Sequence, residues 1–336
     1  MFVRINLLLA ILFVGQFANA QNPFPTIGKV VRLDPQLDGI IAPNTPIEVL
    51  ASGFEWSEGP VWVKDGGFLL FSDVPKNTIH KWKDGDGLSV FLKPSGYTGV
   101  NEYSNEPGSN GLTLDLRGRL VACEHGDRRL SAMPLNGGGK VTLADRHNGK
   151  RFNSPNDVAA HSDGSFYFTD PPYGLPLQEK DPLREISVFG VYRLDNQGNV
   201  SLLVADLTRP NGVALSPDEK TLYVAQSDPD RAVVMAYPLN TNGTVGKGVV
   251  FFDATPMVKA GLRGLPDGLR VDVKGYVFAT GPGGVLVLSP AGKLLGRIDT
   301  GQATANCAFG NDGSTLYLTS DMYLCRIKTN TKGMGF

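Results

Sequence analysis

Asn211-Gly212-Val213-Ala214-Leu215 is followed by three further apolar runs, Thr221 to Gln226, Ala232 to Tyr237 and Lys247 to Phe252, each cut off from the next by Gly, Pro, Asp or Asn. Short runs rich in Val, Tyr and Phe between turn formers predict strands, so this unit reads as a four-stranded antiparallel meander. Its opening recurs along the chain. Glu58-Gly59-Pro60-Val61-Trp62, Asn110-Gly111-Leu112-Thr113-Leu114, Asn156-Asp157-Val158, Asp267-Gly268-Leu269-Arg270-Val271 and Asn306-Cys307-Ala308-Phe309 each set an acidic or amide residue before an apolar run. The six starts lie between 39 and 56 residues apart, and Asn110 to Gly118, Asn156 to Gly164 and Asp267 to Gly275 share a spacing of eight. A period of roughly 40 to 50 residues with four short strands per unit marks the blades of a β-propeller.

The sixth unit holds only three strands, near 306–309, 315–319 and 323–328, while an unassigned strand, Ile47 to Ala51, precedes the first unit. Pairing the two would close the ring and remove an exposed sheet edge. The expected fold is therefore all-β, a six-bladed β-propeller closed by an N-terminal strand pairing with the last blade. It would span 47–330 as a single domain, with 21–46 as an N-terminal extension and 331–336 as a C-terminal tail. Cys307 and Cys325 fall on the first and third strands of the last blade, two strand spacings apart, which is beyond disulfide reach, so both are expected free and buried.

Residues 1–20 read as a signal peptide. Arg4 supplies the positive start, Leu7 to Val14 the short apolar core, and Ala18-Asn19-Ala20 the small-residue cleavage pattern. The expectation is an exported protein, periplasmic or secreted. No later apolar run approaches the roughly 18 to 20 residues of a membrane span, so no membrane partner is expected after cleavage. Over 336 residues, 41% hydrophobic content excludes a disordered chain. The 32 Lys and Arg against 33 Asp and Glu leave no basic stripe for phosphates, which excludes nucleic acid as the main partner.

In a propeller the first strand of each blade lines the central channel, so Glu58, Asn110, Asn156, Asn211, Asp267 and Asn306 would form one ring of oxygen-bearing side chains. Asn and Asp before Gly also start turns, but that reading does not account for Glu58 or for Asn156 before Asp157. Two carboxylates near one axis repel unless a cation sits between them. Carboxylate and amide oxygens without thiolate select a hard divalent cation, Ca²⁺ first, with Mg²⁺, Mn²⁺ or Zn²⁺ as alternatives. The four histidines form no His-x-x-x-His pair, and no Gly-x-Ser-x-Gly elbow or Walker loop is present. The long connections 93–109, 145–155, 171–189 and 253–266 all fall at the end where the ring residues begin, as walls of a pocket would.

Together with Ser57 to Trp62, the stretches Arg151 to Asp157, Asp170-Pro171-Pro172-Tyr173-Gly174, Arg209 to Gly212, Leu265 to Gly268 and Thr304 to Phe309 resemble the SMP-30/gluconolactonase/LRE-like family, in particular its exported gluconolactonase branch. The resemblance implies a divalent cation held by Glu58, Asn156, Asn211 and Asp267, and a hydrolase that opens a small sugar-acid lactone such as glucono-1,5-lactone. It makes Asp267 the catalytic residue and Asn156 a substrate contact as well as a ligand. An arginine that binds substrate in some relatives is replaced here by Ser154. Asn110, Asn306, His125 and Tyr173 are further candidates for binding substrate, His125 also reading as an ordinary loop histidine and Tyr173 as a packed rim aromatic. Two alternatives stand beside this reading: the same cation site acting on phosphotriesters or other lactones, and a non-catalytic ligand-binding propeller.

Overall fold

β-Branched and aromatic runs punctuated by turn formers fill the chain, and in the computed structural model, which describes residues 24–336, they form six antiparallel sheets and one small hairpin. The signal-peptide reading of residues 1–20 lies outside the described residues. From the channel outward, blade one comprises Ser57–Val63, Phe68–Asp73, Thr78–Lys83 and Gly87–Leu92. The other five innermost strands are Ser109–Leu114, Val158–Ala160, Pro210–Leu215, Leu269–Val271 and Asn306–Gly310. Each innermost strand packs on the next, and the sixth packs on the first.

The alternation of side chains explains why six sheets make a ring. One face of each strand packs on the preceding blade and the other on the following blade, and six apolar clusters fill the six seams. Phe71 and Trp82 of blade one meet Tyr317 and Leu324 of blade six, for instance, while Leu70 and Ile79 meet Leu112 and Leu120 of blade two. Cys123 lies in the seam of blades two and three, and Cys307 and Cys325 in that of blades five and six; all three are free and buried. The spacing of eight is that of the turn joining first and second strands, which ends on Gly118, Gly164 and Gly275 at φ of 71°, 86° and 84°. Those left-handed angles are ones a residue without Cβ adopts freely.

The last sheet is ordered Glu48–Ser52, Tyr323–Lys328, Thr315–Ser320, Asn306–Gly310, so a strand from early in the chain lies outermost beside the final strand. The segment just before it is also structured. Lys29–Arg32 adds a fifth strand to blade five alongside Leu294–Asp299, and Leu37, Ile40 and Ile41 sink into the neighbouring seam. At the other end Gly333 bridges to Asp272. Among the described residues no helix is long and apolar enough to cross a membrane.

Candidate active site

Backbone irregularity aims five of the six ring residues inward, whereas Asn306 opens a regular strand paired with Thr315–Ser320. In blades one, two and four the pairing of the first two strands breaks between Glu58 and Val61, between Ser109 and Leu112, and between Pro210 and Val213. Such bulges re-aim a side chain locally. In blades three and five the strand begins only at Val158 and Leu269, leaving Asn156 and Asp267 two residues ahead of it. Gly59 lets blades one and two approach at this level, since a Cβ on it would lie 1.9 Å from the Asn110 carbonyl oxygen.

The six residues meet. Asn110 Nδ2 donates to Asn156 Oδ1 at 3.0 Å, Asn156 Nδ2 to Asn211 Oδ1 at 2.6 Å, Asn211 Nδ2 to Ser227 Oγ at 2.8 Å, and Ser227 Oγ to the Pro266 carbonyl at 2.6 Å. On the other side Asn306 Nδ2 donates to Glu58 Oε2 at 3.2 Å, an oxygen that also accepts from Gly59 N at 2.7 Å. Asp267 opens slightly to the pocket, while its Oδ1 is buried and unpartnered, as is Asn110 Oδ1. Asn156 and Asn211 each accept an amide hydrogen bond on Oδ1, and the oxygens to which no hydrogen bond is made include Glu58 Oε1, Asp267 Oδ1 and Asn110 Oδ1.

Two carboxyls in this confined place disturb each other. Burial pushes Glu58 up to about 8, with the charge of Asp157 adding and the Gly59 N–H opposing. Asp267 is pushed well above the ordinary carboxylate range, first by burial and then by the charges of Glu58, Asp157 and Glu106. Among the described residues no three His, Cys, Asp or Glu side chains gather as a metal cluster, so donors beyond the two carboxyls are amides. Oxygen donors alone, two uncompensated carboxyls and unpartnered Asp267 and Asn110 oxygens fit a hard divalent cation.

His125 is fully buried, with Nε2 3.0 Å from Asn156 Oδ1 and Nδ1 3.2 Å from the Glu106 carbonyl. Burial lowers its pKa to about 4, so the ring is neutral at physiological pH. Tyr173 is half-buried, and its hydroxyl sits beside Ser227 within the electrostatic reach of Asp267 and Glu106. Ser154 holds the loop that carries this tyrosine: its Oγ donates to the Pro171 carbonyl at 2.6 Å and accepts from Gly174 N at 3.0 Å. Where an arginine was absent, a loop anchor is found.

All eight candidates therefore stand at one mouth of the channel, but the sequence reading missed three neighbours. Glu106, in the 93–108 connection, has its carboxyl raised by burial to about 7 and lies 3.8 Å from His125 Nδ1. Asp157 is buried beneath the ring, accepting from Val158 N at 2.9 Å and from Val213 N in the next blade at 3.2 Å. Ser227 ends the amide chain. Glu124, at the end of Leu120–Glu124, points elsewhere, bound at 2.6 Å by both Arg129 and Lys140.

A six-bladed propeller with a cluster of carboxyls and amides at one mouth of its channel is the class these features define. The chain belongs to the SMP-30/Gluconolactonase/LRE-like family, whose pattern matches residues 56–322. The gluconolactonase of Zymomonas mobilis subsp. mobilis is 42% identical over 319 residues, covering 92% of this chain and 88% of that one. The solved structure of XC5397 from Xanthomonas campestris, described as a gluconolactonase of glucose secondary metabolism, is 29% identical with a TM-score of 0.79, covering 92% and 98% of the two chains. A structural-genomics target described as a gluconolactonase candidate is 35% identical with a TM-score of 0.81, covering 92% and 100%.

Proposed function

We propose that the chain is a divalent-cation-dependent lactone hydrolase that opens sugar-acid lactones, glucono-1,5-lactone or a similar aldonolactone, to the free acid. The observation that carries this is the pair of carboxyls, buried Glu58 and partly buried Asp267 with its Oδ1 enclosed, set among amide oxygens with no protein cation between them among the described residues. The gluconolactonase relatives support the substrate class.

In this reading Glu58, Asn156, Asn211 and Asp267 hold the cation, Ca²⁺ before other hard ions. When bound, the ion supplies a Lewis acid that polarises a carbonyl oxygen and steadies charge developing on it. Asp267 is the catalytic residue, its Oδ1 free to take a proton from water attacking the lactone carbonyl. The acyl C–O bond of the ring then breaks, and the ring oxygen leaves as the new hydroxyl, taking the proton that Asp267 accepted from water. Neutral His125 fixes Asn156 and, with Asn110 and Asn306, keeps the ring in register; Tyr173 offers a hydroxyl to the sugar. We propose further that the protein acts outside the cytoplasm, which the N-terminal sequence of the mature protein would test.

The deciding experiment follows proton release from a panel of aldonolactones, simple lactones and phosphotriesters, with and without chelator. Aldonolactone turnover that stops in chelator and returns with Ca²⁺ is expected. Full activity in chelator overturns the role of the cation, and inertness across the panel overturns hydrolysis.

A further inference from the structure

The channel has a second chamber. Below the ring of amides and carboxyls, at the opposite end, lies a cavity of about 480 Å³. Every innermost strand contributes to it, through Trp62, Leu114, Ala160, Leu215, Val271 and Phe309, and residues 334–336 close part of its outer side. The same six strands thus carry an oxygen-rich site at one end and an apolar wall at the other. Asp157 and Arg270, 3.9 Å apart, stand between the two chambers.

Two basic side chains, Arg270 and Lys64, line this otherwise mainly apolar space. The partly buried Arg270 guanidinium makes one hydrogen bond, from Nη1 to the Leu269 carbonyl, 2.7 Å away, and its counter-charge Asp157, at 3.9 Å, already accepts from Val158 N and Val213 N. Its fork has five N–H groups, so most are uncommitted. Trp62, stacked on Tyr317 at 5.6 Å, keeps its indole N–H buried with no partner. Lys64 reaches the same rim beside the Gly335 carbonyl, opposed by Glu219, whose carboxylate is engaged by Ser162 N at 2.9 Å. A mainly apolar cavity of a few hundred cubic ångströms with a few converging polar groups has the make-up of a small-molecule site. A guanidinium with spare N–H groups over an apolar wall suits a ligand with an anionic acceptor at one end and hydrocarbon at the other.

We infer that this lower chamber is a second ligand site, for an amphipathic monocarboxylate whose head is held by Arg270 and whose medium-length aliphatic chain lies against the inner strands. The test is calorimetric titration of octanoate into the full chain, with octanol as the uncharged comparison. Saturable 1:1 binding is expected, at least tenfold weaker for octanol. Arg270→Leu should weaken octanoate at least tenfold and leave octanol unchanged, Ala160→Phe should abolish both by filling the chamber, and Glu58→Gln in the upper site should change neither. Thermal melts establish that each variant is folded, and if Arg270→Leu is not, the octanol comparison on the native chain decides. Octanol binding as tightly as octanoate, or an Arg270→Leu variant without effect, overturns the carboxylate assignment. Absence of saturable binding, binding untouched by Ala160→Phe, or loss in Glu58→Gln overturns the site.

Discussion

Asp170 ends the strand Phe166–Asp170 and is completely buried. Its Oδ2 accepts from Asn153 N at 2.8 Å and from Asn153 Nδ2 at 3.2 Å, while Oδ1 is buried without a partner. Burial outweighs these bonds and pushes the carboxyl from 3.8 up to about 7. An acid whose pKa is higher folded than unfolded binds its proton more tightly in the folded state, so stability is greatest below the unfolded pKa and falls as pH rises towards the folded one. At about 1.4 kcal/mol per pKa unit, less where either state is half-titrated, the loss between pH 4 and pH 7 is roughly 3 kcal/mol. Asp170→Asn keeps an acceptor for Asn153 and removes the charge. Relative to the native chain it should therefore gain that amount over this interval and nothing below it. With an unfolding entropy of about 2 cal/mol/K per residue, the difference in Tm should grow by about 5 °C. Circular-dichroism melts of both proteins at fixed ionic strength from pH 4 to pH 8 measure it. A Tm difference that stays constant across the range would refute the assignment of a buried, titrating carboxyl.

Asp267→Asn should lower kcat/KM for an aldonolactone about a thousandfold, within the range typical of a lost general base, as followed by pH-stat. Saturating Ca²⁺, at about a hundred times its dissociation constant, should stabilise the native chain by about 3 kcal/mol in thermal melts, and Glu58→Gln should cancel most of that gain. Ser154→Ala removes both anchors of the Pro171 to Gly174 loop. Loss of about 1 kcal/mol of loop order should raise KM roughly fivefold with little change in kcat, whereas an equal fall in kcat would place Ser154 in the chemistry itself.

Blade number and the ring of six were legible because both depend on local signals repeated six times. The apolar runs have the period of strands, and the turn at Gly118, Gly164 and Gly275 needs a residue at ease with positive φ. Asn211-Gly212 and Asn110-Gly111 could be read as turns, and the structure makes them bulges, a distinction fixed by the partner strand rather than by the dipeptide. What escaped depends on pairing across blades. Asp157 gains its role from the Val213 N–H, more than fifty residues on, and no local pattern marks that bond. Glu106 sits in a connection without periodicity, so only packing against His125 shows that it is partly enclosed. Ser154 looked like a missing arginine because its contacts, Pro171 and Gly174, belong to another loop.

Asn156 is grasped at once by Asn110, His125 and Asn211, and Asn211 passes the grip to Ser227. Side chains linked this way do not respond one at a time. Double-mutant cycles between Asn110 and Ser227, which never touch, should show coupling, and a single exchange in the chain should cost more than its own lost contact. Evolutionary drift at this hub would then proceed by concerted changes in several blades, while the outer strands vary independently.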